Sequence, residues 1–238
     1  MCCDASILID STQTRQSEKD AFPNQSVRGF DLIDEAKSNL EAICPGTVSC
    51  ADIITLATRD SVALAGGPNY TVPTGRRDSL VSDLNLVNLP GPSLFVSQAL
   101  QFFTAKNSLS MTWSPFWVHT LLVLPTVVFF KIDFRTFKDL LCGTQSRPLS
   151  QDPTAFLDQN TSFVFDCEYY HQIKLRRGVM QIDQELALDK ASAPIVTGFA
   201  SNAIGFRQGF AKAIVKIGGI EVLVGNAGEI RKNCRAFN

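Results

Sequence analysis

SCADIITLATRDSVALAGG, residues 49–67, carries the clearest local signals in the chain. Ser49 and Asp52 have the spacing of a capping box, which marks a helix N-terminus. The periodicity that follows is helical, and Gly66 and Gly67 stand where a helix C-cap belongs. The stretch therefore predicts a helix that begins near Ser49 and ends before the two glycines.

Three other stretches also predict helices. Residues 28–43 carry a mostly apolar stripe, which consists of Phe30, Ile33, Lys37, Leu40 and Ile43 and which Pro45 stops. Residues 94–106 predict a third helix. The fourth, closed by Gly218 and Gly219, has a stripe formed by Phe206, Phe210, Ala213 and Ile217. Because proline- and glycine-rich loops lie between them, the sequence predicts a mainly helical protein with long ordered loops.

Length and charge set outer bounds on the function. The 238 residues are enough for a sizeable core in one or two domains. Lysine and arginine number 22 against 23 aspartate and glutamate residues, so there is no electrostatic footprint for nucleic acid.

Seven cysteines are many for a reduced compartment and predict a secreted origin. Glycosylation sequons at Asn24, Asn69 and Asn160 agree with that origin. The N-terminus, MCCDASILID, has neither a basic n-region nor a long apolar h-region of a signal peptide. We therefore expect that a front segment precedes residue 1 in the complete protein.

The stretch MTWSPFWVHTLLVLPTVVFFKIDF, residues 111–134, differs from its surroundings, since no charge occurs from Asn107 to Phe130. About 20 apolar residues suffice to cross a bilayer, so a transmembrane helix is one interpretation. Pro115 and Pro125 interrupt the run, and Ser, Thr and His dilute it. We therefore disfavour a membrane span and expect an aggregation-prone segment instead.

Several stretches, in the same order, resemble the class III secretory plant peroxidases. The matching stretches are CDASILID (3–10), SEKDAFPN (17–24), VRGFDLID (27–34), CPGTVSCADIITLATRDSV (44–62), GGPNYTVPTGRRDS (66–79), NLPGPS (88–93), DQNTSFVFD (158–166), RRGVMQIDQEL (176–186) and GEIRKNCRAFN (228–238). The resemblance implies an all-α fold of two halves, with haem b between them and a calcium ion in each. It also implies a secreted, monomeric enzyme that uses hydrogen peroxide to oxidise phenolic donors.

Two parts depart from the family pattern. The family's distal helix, with its catalytic Arg and His, precedes the CDAS motif and would lie before residue 1. We therefore expect residues 1–98 to be an incomplete remnant of the distal half and residues 99–238 to be the proximal half. One reverse translation of residues 111–134, read in another frame, spells DMVALLGAHSVGVAHCGFFQDRL, which resembles the family's proximal helix. We interpret residues 111 to about 151 as an out-of-frame translation, with the family pattern resuming near Asp152.

The resemblance suggests a haem site on the proximal side. His119 stands at the position of the axial haem ligand, and Asp183 matches the carboxylate that hydrogen-bonds to that histidine. The other interpretation is that His119 lies in an aberrant insert and binds nothing. We expect haem binding by this chain to be weak or absent.

Two calcium sites follow from the same resemblance, and both use the oxygen ligands that calcium prefers. The proximal ligands would be Thr120, Asp158, Thr161, the Val164 carbonyl and Asp166. The distal ligands would be the Cys2 carbonyl, Asp4, Ser6 and Glu18. We expect the distal site to be the weaker one, because the aspartate that precedes the distal cysteine in the family is missing.

The resemblance assigns further residues. Cys50 and Cys234 would form a disulfide, and Pro90 would edge the donor-substrate opening. We interpret Arg76, Arg77 and Asp78 as a structural ion-pair network. The residues interpreted as solvated surface are Glu35, Lys37, His171, Lys174, Arg176 and Arg177.

Three functions remain open. The first is a haem peroxidase by descent, inactive as written because it lacks the distal Arg and His. The second is a non-catalytic calcium-binding protein or an artefact of gene prediction. The third is a membrane-tethered protein, which depends on residues 107–130 alone.

Overall fold

The computed structural model describes residues 3–25, 27–106 and 156–238. Within these ranges the chain is helical and has no β-strand, which confirms the predicted all-α class. The helices are α1 (Phe30–Ile43), α2 (Cys50–Leu64), α3 (Val96–Lys106), α4 (Glu168–Lys174), α5 (Gln181–Leu188), α6 (Ala193–Ser201) and α7 (Ala203–Ile217). Short 3-10 turns cover Ser6–Leu8, Glu18–Asp20, Phe22–Asn24 and Leu84–Leu86.

The N-terminus of α2 keeps half of the predicted capping box. Ser49 Oγ accepts a hydrogen bond from Asp52 N at 3.1 Å. The Asp52 carboxylate does not return to Ser49; it accepts from Gly75 N at 2.7 Å and from Arg76 N at 3.3 Å. Buried backbone N–H groups need acceptors. The Asp52 carboxylate therefore accepts from the loop that follows α2 and not from Ser49 N, as it would in a capping box.

In α1, Ile43 departs from the predicted stripe, and Lys37 departs from its interpretation as solvated surface. Ile43, the last residue of the helix, is 81% exposed. Lys37 is buried, so its interpretation as a solvated residue is wrong. Lys37 Nζ donates to Glu41 Oε1 and to Val48 O, each at 2.6 Å. Its long stem is thereby buried while the charge keeps two acceptors.

One compact unit, here called unit 1, comprises Met1–Leu64, Pro68–Leu89 and Ile214–Asn238. The C-terminal segment is held there by backbone and covalent links. Asp78 N donates to Glu229 O at 2.8 Å, and Glu229 N donates to Asp78 O at 2.9 Å. The predicted disulfide joins Cys50 to Cys234, with a Cα–Cα distance of 5.8 Å, among the buried side chains of Ala5, Leu8 and Ala51.

The second compact unit, unit 2, comprises Ala65–Gly67 and Pro90–Ala213. In it, α4 packs against α5 and α6. The core is aromatic and includes Phe165, Tyr170, Phe199, Phe206 and Phe210. Phe206, Phe210 and Ala213 are all buried, which confirms most of the predicted α7 stripe. The unit boundaries do not coincide with residues 98 and 99, and the assignment of family halves remains a prediction.

No helix in the described ranges is both long and apolar enough to cross a membrane. The uncharged stretch from Asn107 to Phe130 lies outside those ranges.

Candidate functional site

Three of the predicted distal calcium ligands meet inside unit 1. Asp4, Ser6 and Glu18, here called the acidic cluster, are 1%, 2% and 6% exposed. Ser6 Oγ lies 2.8 Å from Asp4 Oδ1 and 2.8 Å from Glu18 Oε2. A hydroxyl has one proton, so it can donate to only one of these two oxygens. Ser6 Oγ and the carboxylate oxygen to which it does not donate therefore repel each other, unless a second proton or a cation lies between them.

The electrostatics of the acidic cluster point the same way. Burial, the largest cause, raises the pKa of Glu18, although the hydrogen bond from Ser6 opposes the rise. Asp4 Oδ2 is buried and has no hydrogen-bond partner among the described residues. A buried carboxylate oxygen without a partner is unfavourable, and a hard cation such as calcium would satisfy it. The fourth predicted ligand, the Cys2 carbonyl, lies outside the described residues.

The surrounding loops hold the acidic cluster through backbone contacts. Ser82 Oγ donates to Ser6 O at 2.8 Å and accepts from Glu18 N at 3.0 Å. Asn24 Nδ2 donates to Glu18 O at 2.7 Å. The cluster is thus fixed by polar side chains that are themselves buried.

Arg231 is a positioning residue that the sequence reasoning missed. Its side chain is fully buried. Nη1 donates to Ala5 O at 2.9 Å, and Nη2 donates to Asp4 O at 3.3 Å and Ser79 O at 3.2 Å. These bonds go to backbone oxygens, while the guanidinium charge also interacts with the carboxylates of Asp4 and Glu18 and partly balances them. Nothing around Arg231 in the sequence distinguishes it from the other basic residues near the C-terminus.

Asp78 has a different role from the predicted ion-pair network. Its carboxylate accepts from the backbone N–H groups of Cys50 at 3.1 Å, Ala51 at 2.8 Å and Arg231 at 2.9 Å. It therefore joins the start of α2 to the C-terminal segment. Arg76 does form a buried ion pair, since its Nη1 lies 3.4 Å from Asp52 Oδ1, but Asp52 was not part of the predicted network.

Four of the five predicted proximal calcium ligands lie in unit 2 on one loop, residues 158–166, here called the 158–166 loop. Asp158 Oδ2 accepts from Thr161 Oγ1 at 2.7 Å, and Oδ1 accepts from Thr161 N at 3.2 Å. Val164 O accepts from Asp166 N at 3.1 Å. Asp166 Oδ1 accepts from the backbone N–H of Glu168, the first residue of α4, at 2.8 Å. The structure thus pairs Asp158 with Thr161 directly, while Asp166 contacts neither of them through a described hydrogen bond.

In the described part of the chain, no three His, Cys, Asp or Glu side chains group as metal ligands. Either calcium site would therefore depend on hydroxyl and carbonyl oxygens as well, which calcium accepts. Thr120, the remaining proximal candidate, lies outside the described residues.

Asp183 is completely buried at the start of α5. Its Oδ1 accepts from Tyr169 OH at 2.9 Å, and Oδ2 accepts from Met180 N at 3.1 Å. Burial raises the pKa of Asp183 from 3.8 to about 6, although both hydrogen bonds oppose the rise. Sequence reasoning missed Tyr169. The proposed partner of Asp183, His119, lies outside the described residues.

The other predicted positions are more loosely placed. Pro90 is half-buried in the irregular segment before α3. His171 is exposed on α4, as are Lys174 and Arg176 nearby, which confirms their interpretation as surface.

Comparisons with known proteins show similarity to peroxidases over nearly the whole chain. A family model described as Peroxidase matches residues 1–112 and 130–202. Peroxidase 44 of Arabidopsis thaliana is 52% identical over 241 residues, which cover 99% of this chain and 78% of that protein. Peroxidase 57 and Peroxidase 28 of the same plant, at 49% over 253 residues and 46% over 259 residues, have the same coverage.

The family match leaves out residues 113–129, which lie inside the stretch predicted to be out of frame. It resumes at residue 130, earlier than the expected return near Asp152. The frame change itself remains a prediction.

Proposed function

This chain belongs to the plant peroxidase family, whose members oxidise substrates with hydrogen peroxide. On that premise we propose that its function by descent is the oxidation of phenolic donors with haem b as cofactor, an activity that these 238 residues would show only after the distal helix and residues 111–134 are restored. The observation that carries the proposal is the alignment of 99% of the chain with a peroxidase at 52% identity. Pro90 would edge the donor opening. The disulfide between Cys50 and Cys234 supports a secreted location, because such bonds persist in oxidising compartments. The enzyme would act as a monomer.

Asp183 supports the haem assignment among the described residues. Each of its oxygens accepts one hydrogen bond, so the carboxylate has capacity for a further donor. We propose that this donor is the ring N–H of an axial histidine, for which His119 is the candidate. Bound haem would supply the redox-active iron. Asp183 would orient the imidazole and raise its basicity.

Calcium would support each unit. In unit 1 the acidic cluster would supply Asp4, Ser6 and Glu18, with Cys2 as a further ligand. In unit 2 the 158–166 loop would supply its two aspartates, a hydroxyl and a carbonyl. The unpartnered Asp4 Oδ2 is the observation that favours a cation in unit 1.

A second candidate function is a calcium-binding pseudo-peroxidase. Heterolysis of peroxide needs a base and a fixed positive charge beside the iron. The chain has two histidines, and the described one, His171, is exposed on α4. Arg76 is engaged with Asp52, and Arg77 donates to Gly228 O at 3.2 Å. These engagements favour an inactive polypeptide when only these 238 residues are expressed.

The test compares two chains after reconstitution with haemin. One has the 238 residues as written. The other, the repaired chain, carries a family-type distal helix before residue 1 and DMVALLGAHSVGVAHCGFFQDRL in place of residues 111–134. We expect guaiacol oxidation by the repaired chain and no more than free-haemin turnover by the unrepaired one.

Failure of the repaired chain to oxidise guaiacol would refute the peroxidase proposal. Comparable turnover by the unrepaired chain would refute the pseudo-peroxidase alternative. Asp183→Asn in the repaired chain serves as a further variant, with the Soret spectrum reporting whether axial ligation changes.

A further inference from the structure

The function proposed above makes no use of the three sequons as glycosylation sites, and the structure distinguishes them by exposure. Asn69 and Asn160 are exposed, whereas Asn24 is only 9% exposed. We propose that folded, secreted protein carries N-linked glycans on Asn69 and Asn160 and none on Asn24. This inference rests on the secreted location proposed above.

Asn24 is part of the support for the acidic cluster. Its Nδ2 donates to Glu18 O at 2.7 Å, and Glu18 is itself 6% exposed. Its backbone is also engaged, since Asn24 N donates to Ala21 O at 2.8 Å and Asn24 O accepts from Val27 N at 3.0 Å. A sugar on Nδ2 would occupy volume that the protein fills, because interiors are close-packed. A chain glycosylated at Asn24 therefore cannot reach this folded state.

Asn69 has the opposite surroundings. It lies in irregular backbone between α2 and Asp78, and its side chain makes no hydrogen bond within the described part of the chain. Exposed irregular segments are the usual sites of N-glycans, because a bulky polar group there remains in water. A glycan on Asn69 displaces no packed group of unit 1.

Asn160 is exposed on the 158–166 loop, and its Nδ2 donates to Glu168 Oε1 at 2.6 Å. The side-chain amide has two hydrogens. Glycosylation uses one of them, so the other can keep the bond to Glu168. Asp158 accepts from Asn160 through the backbone N–H at 2.8 Å, which the modification leaves intact.

The modification needs a lipid-pyrophosphate-linked oligosaccharide and the transferase of the secretory compartment. The asparagine nitrogen forms a bond to C1 of the first sugar. The C1–O bond to the pyrophosphate breaks, the pyrophosphate leaves with the electron pair, and the amide loses one proton.

The test expresses the 238-residue chain behind a secretion signal in a glycosylating host and isolates the folded, monomeric fraction. Release with a peptide-N-glycosidase in heavy-oxygen water converts each glycosylated Asn to labelled Asp, which peptide mass spectrometry locates. We expect label on Asn69 and Asn160 and none on Asn24. Label on Asn24, or its absence from Asn69 or Asn160, would overturn the assignment.

Two variants of the same protein test the assignment of Asn69 by gel mobility, because loss of a glycan increases the mobility. Thr71→Ala destroys the Asn69 sequon and should remove one glycan, while Thr71→Ser keeps the sequon and should remove none. Because the signal is supplied, failure of the natural protein to leave plant cells would refute the proposed location without affecting these assignments.

Discussion

The acidic cluster of unit 1 and the 158–166 loop of unit 2 use similar ligands in contrasting surroundings. Asp4 is 1% exposed, and one of its carboxylate oxygens has no partner among the described residues. Asp158 is half-buried, and both of its oxygens accept hydrogen bonds from its own loop. In the first arrangement one buried acceptor has no donor among the described residues, whereas in the second both carboxylate oxygens already have donors.

This difference bears on the expected order of the two calcium sites. The family pattern predicts the site in unit 1 to be the weaker one. The geometry predicts the larger dependence on calcium there, because buried anions without compensation are more unfavourable than half-buried, hydrogen-bonded ones. The number of ligands and the burial of the ligands therefore predict opposite orders for the two proposed calcium sites.

The largest effect should come from the covalent link beside the acidic cluster. Cys50 and Cys234 are 184 residues apart, and on the chain-entropy model their disulfide contributes about 5 kcal/mol. Replacing both with Ala should lower the unfolding free energy by about that amount. Hydrogen exchange should then rise more around Asp4 than around Asp158. Cys44→Ala, which removes a free thiol, is the control. Equal loss of protection in both regions would contradict the comparison.

Asp183 extends the comparison to a buried carboxylate with both oxygens hydrogen-bonded. Its folded pKa is raised to about 6, so the folded state binds the proton more tightly than the unfolded state. The unfolding free energy of the haem-free chain should therefore fall by about 3 kcal/mol in total as the pH rises from well below 3.8 to well above about 6.

Asp183→Asn should remove this fall, as measured by urea denaturation at a series of pH values. Asp31→Asn, at an exposed position on α1, should leave it in place. An unchanged pH profile in Asp183→Asn would show that the buried carboxylate is not its source.

Calcium offers a test in which the two regions should differ in sign. Without metal, Asp4→Asn should raise the melting temperature, because it removes a buried negative charge. Asp158→Asn should lower it, because an amide has one acceptor oxygen where the carboxylate had two. Calcium at about 100 times the dissociation constant of a site adds about 2.7 kcal/mol to the unmutated chain. Each variant should lose the part of this gain that its own site provides.

Scanning calorimetry of metal-stripped protein, with magnesium as the comparison ion, measures these shifts. The same direction of shift in both variants without calcium would break the comparison. No calcium effect on the unmutated chain would refute both sites.

The smallest expected change in stability concerns the N-terminus of α2, which begins at the disulfide residue Cys50. Ser49→Ala removes the acceptor for Asp52 N and should lower the unfolding free energy by about 1 kcal/mol. The loss should stay near this value because Asp78 still accepts from the first residues of α2. Ser61→Ala, at an exposed position on the same helix, is the matched control in thermal denaturation. A loss above about 3 kcal/mol would mean that the cap also holds Asp78 in place.

Local signals predicted much of the fold, and the misses have a common cause. The start of α2 followed from Ser49, and α1 ended before Pro45 as expected. The short helices α4, α5 and α6 were missed, since 7 to 9 residues are too few to display a reliable period. The interpretation of Lys37 as solvated was wrong because the local sequence does not show that its amine will donate to Val48 O.

In the candidate site, too, residues in local motifs were predicted and residues that act through distant contacts were not. Resemblance identified Asp4, Ser6 and Glu18 and the disulfide pair, because those residues stand in recognisable local motifs. Tyr169, which donates to Asp183, and Arg231, which donates to Asp4 O, were not identified. Neither has a motif of its own that states which distant group it will contact.

The sequence by itself determined the helical class, the family and the oxygen-rich stretches that suit calcium. Caps, periods and motifs depend on residues a few positions apart, so they are visible in a single chain. Only the tertiary structure decided that one Asp4 oxygen has no partner among the described residues, that Asn24 is buried while Asn69 is exposed, and that Asp78 binds backbone N–H groups. These properties depend on contacts between distant residues, such as the one from Arg231 to Asp4 across 227 positions.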